Sequence, residues 1–447
     1  NFSFFGNNYL NFPNFLILFF QPLNMNTKLL FLLFICLTCA FECFAQAPRS
    51  INTIHLTKPA FSVPAVSKSS LNPGKLAKSL MVTGFNPVPL TKDHVYLIRD
   101  IGAMYNKNGS SFHYQVVSDQ LLWPNEPTAL PLEGLGNPGY DTVDGITLGN
   151  GFLPPGYQTG NANFVNASST NTHQDGILSK TKKNWFYHRV LMEDIDGDGL
   201  KDALSARANL PLLDPNGGKG QLVWMKNPGT SNPFDESLLP WEEHVIVDGP
   251  DIFFAWTDLD KDGQYEVIAC EFFSQRVMLY TATNNRWDDP SAIQSYLIDD
   301  TIGAPFDVSV LDLNMDGKLD VLVTNHENEP SLSGVYAYTV PSQFNETWPR
   351  HTLASGFIVR KPGKHQATPG AATPFHPITS KSNSERPWMA LSGDGSEEAY
   401  LMQPIGSPDG WQWKTSVLGV YNCTVGQLSA FDADDDGYSE IFVPAYE

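Results

Sequence analysis

Four short segments of this 447-residue chain carry carboxylates at a spacing that suits a hard cation. They read DIDGDGLKD from Asp194, DLDKDGQYE from Asp258, DLNMDGKLD from Asp312 and DADDDGYSE from Asp432. In each, acids or their amides stand at positions 1, 3, 5 and 9, with Gly at position 6. Alternation in a tight loop turns those side chains inward, the Gly permits the sharp bend, and the carbonyl of the next residue adds an oxygen. The expected ligands are Asp194, Asp196, Asp198 and Asp202 with the carbonyl of Leu200; Asp258, Asp260, Asp262 and Glu266; Asp312, Asn314, Asp316 and Asp320; and Asp432, Asp434, Asp436 and Glu440. Oxygen-only ligation selects calcium over zinc or copper, and the expectation is up to four structural Ca2+ ions.

An EF-hand would need a Glu at position 12, where this chain has Ser205, Ala269, Val323 and Val443, and it would need flanking helices. Strand-like runs flank these loops instead. Polar Asp-Gly turns are the bland alternative, but three or four crowded carboxylates repel one another unless a cation joins them. Fifteen of the 48 acidic side chains occupy the ligand positions, so the net charge of −20 is largely a property of the loops. With 28 Lys and Arg, nothing can neutralise a phosphate backbone over a wide face, which excludes a nucleic-acid binder. Only 17 % of residues are charged and 12 % are aromatic, a composition that buries a core.

The elements that position the loops are β-strands. The loop starts lie 64 and 54 residues apart, a worn copy, ALSGDGSEEAYLM, starts at Ala390, and the last loop follows it by 42. Before each loop comes an apolar strand (FFAWT, DVSVL, QLSAF), after it a second (EVIACEFF, DVLVTNH), then a third (QLVWMKN, RVMLYTA, GVYAYTV) and a Trp-led fourth (WEEHVIV, WPRHTLA, WQWKTSV). Four strands cannot bury both faces alone, so units must stack, and radial closure disposes of the edges. The loops between apolar strands resemble the FG-GAP or VCBS repeats of calcium-loop β-propellers, found in integrin α-chain heads and in secreted bacterial and fungal proteins. The expected fold is all-β, a propeller of six or seven four-stranded blades. The last copy ends one strand after its loop. The ring is therefore expected to be incomplete at the C-terminus, unless an amino-terminal strand such as HVYLIRD closes it.

If each loop joins strands one and two, the start of strand one and the end of strand two share the other face, where ligands usually bind in the resembling families. That geometry selects Arg207, Glu271, Asn325, His326 and Tyr446 after the loops and His188, Asp251 and Asp307 before them. The ligand-binding set is Arg207, Asp251, Glu271, Asp307, Asn325 and Tyr446, and Arg207, Glu271, Asn325 and His326 are expected to converge in one pocket opposite the Asp loops. His188, Arg207, Glu271 and His326 are the catalytic candidates if the mouth is an active site. No nucleophile elbow, zinc-protease motif or phosphate loop is present. For Asp394, Glu397 and Glu398 of the worn copy, an ordinary turn is the expectation, and residues 360–388 read as an insertion.

At the amino terminus, Met25 opens a tripartite pattern of Lys28, the apolar run from Leu29 to Phe41, and the small pair Ala45 and Ala47. It reads as a secretory signal over residues 25–45, with 1–24 as leader, 46–93 as an extended linker and 94–447 as the propeller. Four N-x-[ST] acceptors follow, at Asn108, Asn166, Asn345 and Asn422. Cys270 and Cys423 lie beyond the signal, and pairing or free burial are both open. The function expected is a secreted extracellular recognition module for glycan or protein, with no integral membrane segment after cleavage. The alternative is a carbohydrate-active enzyme, a sugar lyase or dehydratase, using the axial mouth.

Overall fold

The computed structural model describes residues 2–6 and 49–446, apart from 87, 89–90, 106–112, 139–143, 153–158, 169–174, 212–217, 361–365 and 408. Seven antiparallel four-stranded blades stand in a ring. Blade 1 is Pro59–Lys68, Leu76–Gly84, Asp93–Ile98 and Gln115–Leu121, and blade 2 is Thr128–Ala129, Gly145–Gly149, Ala162–Asn166 and Asp175–Ile177, from the axis outward. Blade 3 is Trp185–Glu193, Asp202–Asn209, Lys219–Lys226 and Glu242–Asp248, and blade 4 is Phe254–Thr257, Glu266–Glu271, Arg276–Ala282 and Ile293–Asp299. Blade 5 is Pro305–Leu311, Asp320–Asn325, Gly334–Thr339 and Arg350–Ser355, and blade 6 is Ala372–Phe375, Trp388–Ser392, Glu398–Pro404 and Trp413–Val420. Blade 7 joins the chain ends: Ser429–Phe431 and Glu440–Tyr446 are continued by Phe2–Gly6 and Arg49–Ile54.

Burial follows each strand's place in its blade. The second strands of blades 4 and 5, EVIACE and DVLVTN, are buried at every residue, because sheets lie on both of their faces. The outermost strands, such as Glu242–Asp248 and Trp413–Val420, are mostly exposed or half-buried, with one side open to water. Apolar clusters fill each gap between neighbouring blades. Leu204, Trp224, Phe254 and Val267 join blades 3 and 4, for example, and Ile54, Leu80, Val82 and Phe442 join blades 7 and 1. The Trp-led segments lock blade corners: the indoles of Trp241, Trp348 and Trp413 are buried and donate to the carbonyls of Pro233, Phe344 and Pro387. Blades 3 to 6 share a register shift between their third and fourth strands, at Leu222/Val223, Val277/Met278, Val335/Tyr336 and Ala399/Tyr400. A bulge there twists the exposed edge strand away from flat pairing with another chain.

Several expectations change. Residues 59–84 are the two inner strands of blade 1 rather than linker, because VPAV and SLMVTG face apolar neighbours in blades 2 and 7. HVYLIRD does not close the ring; it is the third strand of blade 1. The strands outside Glu440–Tyr446 are supplied by Phe2–Gly6 and Arg49–Ile54, so blade 7 has four strand positions, the innermost divided into Thr424–Val425 and Ser429–Phe431. The presumed insertion holds Ala372–Phe375, the inner strand of blade 6. The worn copy is out of phase by one strand: Asp394 and Glu397 lie between the second and third strands of blade 6, on the face opposite the Asp loops.

The signal segment, residues 25–45, lies outside the described residues, yet its cleavage would remove Phe2–Gly6 from between Glu440–Tyr446 and Arg49–Ile54. In a chain beginning at Gln46 we expect Arg49–Ile54 to move inward by one strand spacing, about 4.8 Å, and to pair with Glu440–Tyr446 directly. Hydrogen exchange should then find the Ile441 and Phe442 amides still protected, and rapid exchange there would show the edge left open.

Candidate functional site

Each Asp loop joins the first and second strands of its blade, in blades 3, 4, 5 and 7, and all four share one geometry. The first Asp caps the turn: Asp194 accepts from the amides of Gly197 (2.9 Å) and Gly199 (3.0 Å), Asp258 from Asp262 and Gly263 (both 3.0 Å), and Asp312 from Asp316 (3.1 Å) and Gly317 (2.9 Å). The position-6 glycines, Gly199, Gly263, Gly317 and Gly437, have φ of 86, 88, 85 and 91°. A Cβ there would meet nothing within 4 Å, so conformation and not space demands glycine. Lys261, Met315 and Asp435, at position 4, hold φ near 60° without that freedom (64, 59 and 63°).

The last acid of each loop opens the second strand and is buried. Asp202, Glu266, Asp320 and Glu440 each reach back to the amide that follows the first Asp, those of Ile195, Leu259, Leu313 and Ala433, at 2.7 to 3.1 Å. Burial pushes Asp202, Glu266 and Asp320 up to about 7 and Glu440 up to about 8; the other loop carboxylates add to the rise and the amide donors oppose it. Carboxylate oxygens of Asp194, Asp196 and Asp202, of Asp258, Asp260 and Asp262, and of Asp432, Asp434 and Glu440 lie within 4.8 Å of one another. That span is about twice a Ca–O distance of roughly 2.4 Å, so one ion can touch all three. In blade 5 the Oδ1 of Asp320 is buried with no hydrogen-bond partner. The donor set, the spacing and that orphaned oxygen fit a hard divalent cation. Lysines already lean on two loops: Lys226 contacts Asp196 and Asp198, and Lys78 lies 2.6 Å from Asp435 and 3.9 Å from Asp432.

The expected polar ring on the opposite face does not form. Arg207 is 3 % exposed and spends its guanidinium inside blade 3, on Gln221, Tyr187 (3.0 Å) and Glu243 (2.6 Å), with its plane over Trp185. Glu271 is fully buried in blade 4 against Arg276 (2.5 Å) and the Tyr280 hydroxyl. Asn325 is fully buried in blade 5, where it donates to the carbonyls of Ile302 and Leu332 and accepts from Gly334. Asp251 caps a turn by accepting from Phe272 (2.8 Å) and Phe273 (2.9 Å). Side chains of a blade project perpendicular to its sheet, into the gaps between blades, so equal positions on successive second strands diverge instead of meeting at the axis. His188 is walled in by Phe152, Phe186 and Phe253, and burial pushes its pKa down to about 3, so it packs there as a neutral imidazole.

What borders that mouth is a set of side chains at or beyond second-strand ends: Phe85, Phe272 and His326 one residue past the strand, Phe152 three past it, and Tyr446 at the strand end. All five are half-buried. Ring contacts run from blade to blade, Tyr446 to Phe85 (5.8 Å), Phe85 to Phe152 (6.3 Å), Phe152 to Phe186 (5.0 Å), Phe186 to Phe273 (6.3 Å) and Phe272 to His326 (6.2 Å). Phe306 stacks on His326, whose Nε2 lies 3.2 Å from Asp394 of blade 6. Of the anticipated residues, His326 and Tyr446 reach the mouth. The aromatic rim was readable as one position further along the repeat, where FF follows EVIACE. Asp307 lies instead by the axis, 3.6 Å from Arg189, where burial raises its pKa to about 6. Arg189 and Glu126, the centre of that cluster, were not anticipated, because neither belongs to the repeat. Cys270 is a buried free thiol and does not pair with Cys423.

Two measurements follow from this geometry. Between the unfolded pKa near 4 and the folded values of about 7 to 8, the metal-free native state binds more protons than the unfolded chain at four sites. Stability is therefore fully present at low pH and lost as pH rises through 7 to 8; melting in chelator should fall by several degrees from pH 5 to pH 8. Arg207→Ala removes a buried guanidinium from Tyr187, Gln221 and Glu243, but Glu243 keeps Lys182 (2.6 Å) and the Tyr187 hydroxyl (2.8 Å), so the change should cost about 1–2 kcal/mol in denaturant unfolding, mainly for the lost buried hydrogen bonds.

Residues 258–323, which span the Asp loops of blades 4 and 5, match the FG-GAP-like repeat family. No curated protein matches the chain. Among solved structures, the V. cholerae biofilm matrix protein Bap1 aligns with a TM-score of 0.36 at 13 % identity, over 87 % of this chain and 67 % of that one. The strand pairing and the matched repeat together identify the chain as a seven-bladed β-propeller carrying FG-GAP-like repeats.

Proposed function

We propose that the protein is a secreted, calcium-braced propeller that recognises glycans through the aromatic mouth opposite its Asp loops. The observation that carries this reading is the rim itself: six consecutive blades, from 7 round to 5, contribute seven linked rings, of which six stay half-exposed and one, Phe186 of blade 3, is buried beneath them. A sugar offers a flat C–H face to such a ring and hydroxyls to the His326 and Asp394 pair beside it. Calcium in the four loops would hold the first hairpin of each blade and so fix the rim from behind, with Asp194, Asp258, Asp312 and Asp432 as anchors. Secretion rests on the Met25 to Ala45 pattern, and no described helix is long and apolar enough to cross a membrane. Asn345 and Asn422 are exposed and Asn166 is half-buried, as N-glycan acceptors would need; Asn108 lies outside the described residues.

A glycan array probed with the purified protein, with and without calcium, tests the reading: binding to a defined glycan class should weaken at least about tenfold in Phe272→Ala and in Tyr446→Ala while melting stays close to wild type. Binding that survives both changes would place recognition elsewhere. Chelation should lower the melting temperature markedly, because site formation is coupled to folding, and Asp258→Ala with Asp262→Ala should reproduce part of the loss.

One contact favours a lyase or dehydratase as a second reading. His326 is oriented by Asp394 across a blade boundary, and Asp394 holds a left-handed φ of 46°, the kind of strain that gathers at working sites. Release of unsaturated product from polysaccharide, abolished by His326→Gln while array binding persists, would mark an enzyme.

A further inference from the structure

The four Asp loops share one geometry but not one surrounding, and the difference is a lysine. Lys226 ends the third strand of blade 3, in the register that sets it opposite Asp202, the last acid of that loop. The same position holds Thr281 in blade 4, opposite Glu266, and Thr339 in blade 5, opposite Asp320. From there the Lys226 ammonium contacts Asp196 and lies 3.4 Å from Asp198, the acids at positions 3 and 5 of the loop. Asp196 is one of the three carboxylates that gather within 4.8 Å in this blade. Lys78 meets the blade 7 loop differently: it lies 2.6 Å from Asp435, which stands outside the ligand positions, and 3.9 Å from the Asp432 carboxylate. Among the described residues, no Lys or Arg makes an ion pair with a loop carboxylate of blade 4 or 5.

Asp196 accepts from Lys226 through Oδ2 and from the Asp198 amide through Oδ1 (3.2 Å), so both of its oxygens are engaged. Its counterpart Asp260 accepts from the Asp262 amide through Oδ1 (3.3 Å), and among the described residues no side chain donates to its Oδ2. An ammonium and a divalent cation repel each other and need the same lone pairs, so one must leave for the other to bind. We propose that Lys226 competes with calcium for the blade 3 loop, so that this loop fills only at several-fold higher calcium than the blade 4 loop. The inference rests on the calcium reading of the loops and adds a regulation to it. Lys226 suits the part because its side chain is 39 % exposed and its ammonium lies 5.8 Å from the Trp224 ring, so it swings into water without opening the core. In low calcium it offsets the charge that Asp194, Asp196 and Asp198 crowd together and ties the third strand to the first turn. In high calcium it releases those oxygens, and the lost pairs weaken the apparent affinity of the loop.

Calorimetric titration of the whole protein with calcium tests this, with melting recorded in chelator and in saturating calcium. The wild type should show at least two classes of site. Lys226→Met keeps the stem and removes the charge; it should tighten the weaker class about three- to tenfold, the range that one or two half-exposed ion pairs allow, and leave the tighter class unchanged. Adding Asp194→Asn to Lys226→Met should remove the shifted class and so assign it to blade 3, while Lys226→Arg, which keeps the charge, should titrate like wild type. Lys226→Met should also melt below wild type in chelator yet match it in saturating calcium, a split that a merely packing role would not produce. Thr281→Lys carries the competitor into blade 4 and should weaken the tighter class by a similar factor. A single class of sites in the wild type, or calcium binding that is unchanged or weaker in Lys226→Met, overturns the proposal and leaves calcium bracing standing. No calcium binding by the wild type or by either Lys226 variant overturns the bracing as well.

Discussion

A second strand buried on both faces has nowhere to put its side chains unless a sheet lies on either side of it. That constraint governs the whole molecule. In blade 4 the run EVIACE projects Val267 and Ala269 toward blade 3 and Ile268 and Cys270 toward blade 5, and the pattern recurs around the ring. No blade can satisfy it alone, and a row of blades leaves two unsatisfied ends, so the ring must close. Closure here uses the chain's own first strands: Phe2–Gly6 pairs with Glu440–Tyr446 and carries Arg49–Ile54 outside it, so the last blade ties the beginning of the chain to its end.

The Asp loops are a consequence of the same demand. A first strand near the axis must return at once as the second, and the sharpest bend leaves main-chain amides pointing inward with no carbonyl to meet them. Asp194, Asp258 and Asp312 meet them with carboxylates, and the acid at position 9 pins the bend to the start of the buried strand. The arrangement satisfies hydrogen bonds at the expense of charge repulsion, so burial and the neighbouring carboxylates together raise the last acid, and the crowded oxygens are spaced to suit a hard cation. Blades 1, 2 and 6 turn without the motif. In blade 1 the strand end is held instead by Asp100, which accepts from Ser69 and Ser70.

The sequence made the blades legible wherever the loop recurs, since the motif fixes both the face and the order of the strands around it. Blades 3, 4, 5 and 7 were readable for that reason. Blade 1 was not: its strands carry Pro59, Pro64 and Lys78 amid Ser and Ala, and without a loop motif the segment looks like linker. The ring of Arg207, Glu271 and Asn325 was misread for a subtler reason. Period and strand end were right, but at that register the side chain enters the gap within or between blades, while the residue beyond the strand turns to the mouth. One residue of register separates a buried ion pair from a solvent-facing aromatic ring.

The two ends of the axis consequently differ in chemistry. On one face the tight turns concentrate carboxylates and leave an open cavity above Arg189 and Glu126; on the other, residues released from the second strands gather as Phe85, Phe152, Phe272, His326 and Tyr446. Between them Phe253 packs on Phe61, Phe306 and His188 and plugs the channel. The two ends of the axis are therefore separated by packed rings. The inner strands hold both surfaces at fixed distance, so a charge on the loop face and a ring on the mouth face communicate only through packing. Since Arg189 lies over the Phe253 ring at 4.9 Å while bonding Glu126, that one side chain touches both the floor of the cavity and the plug beneath the rim.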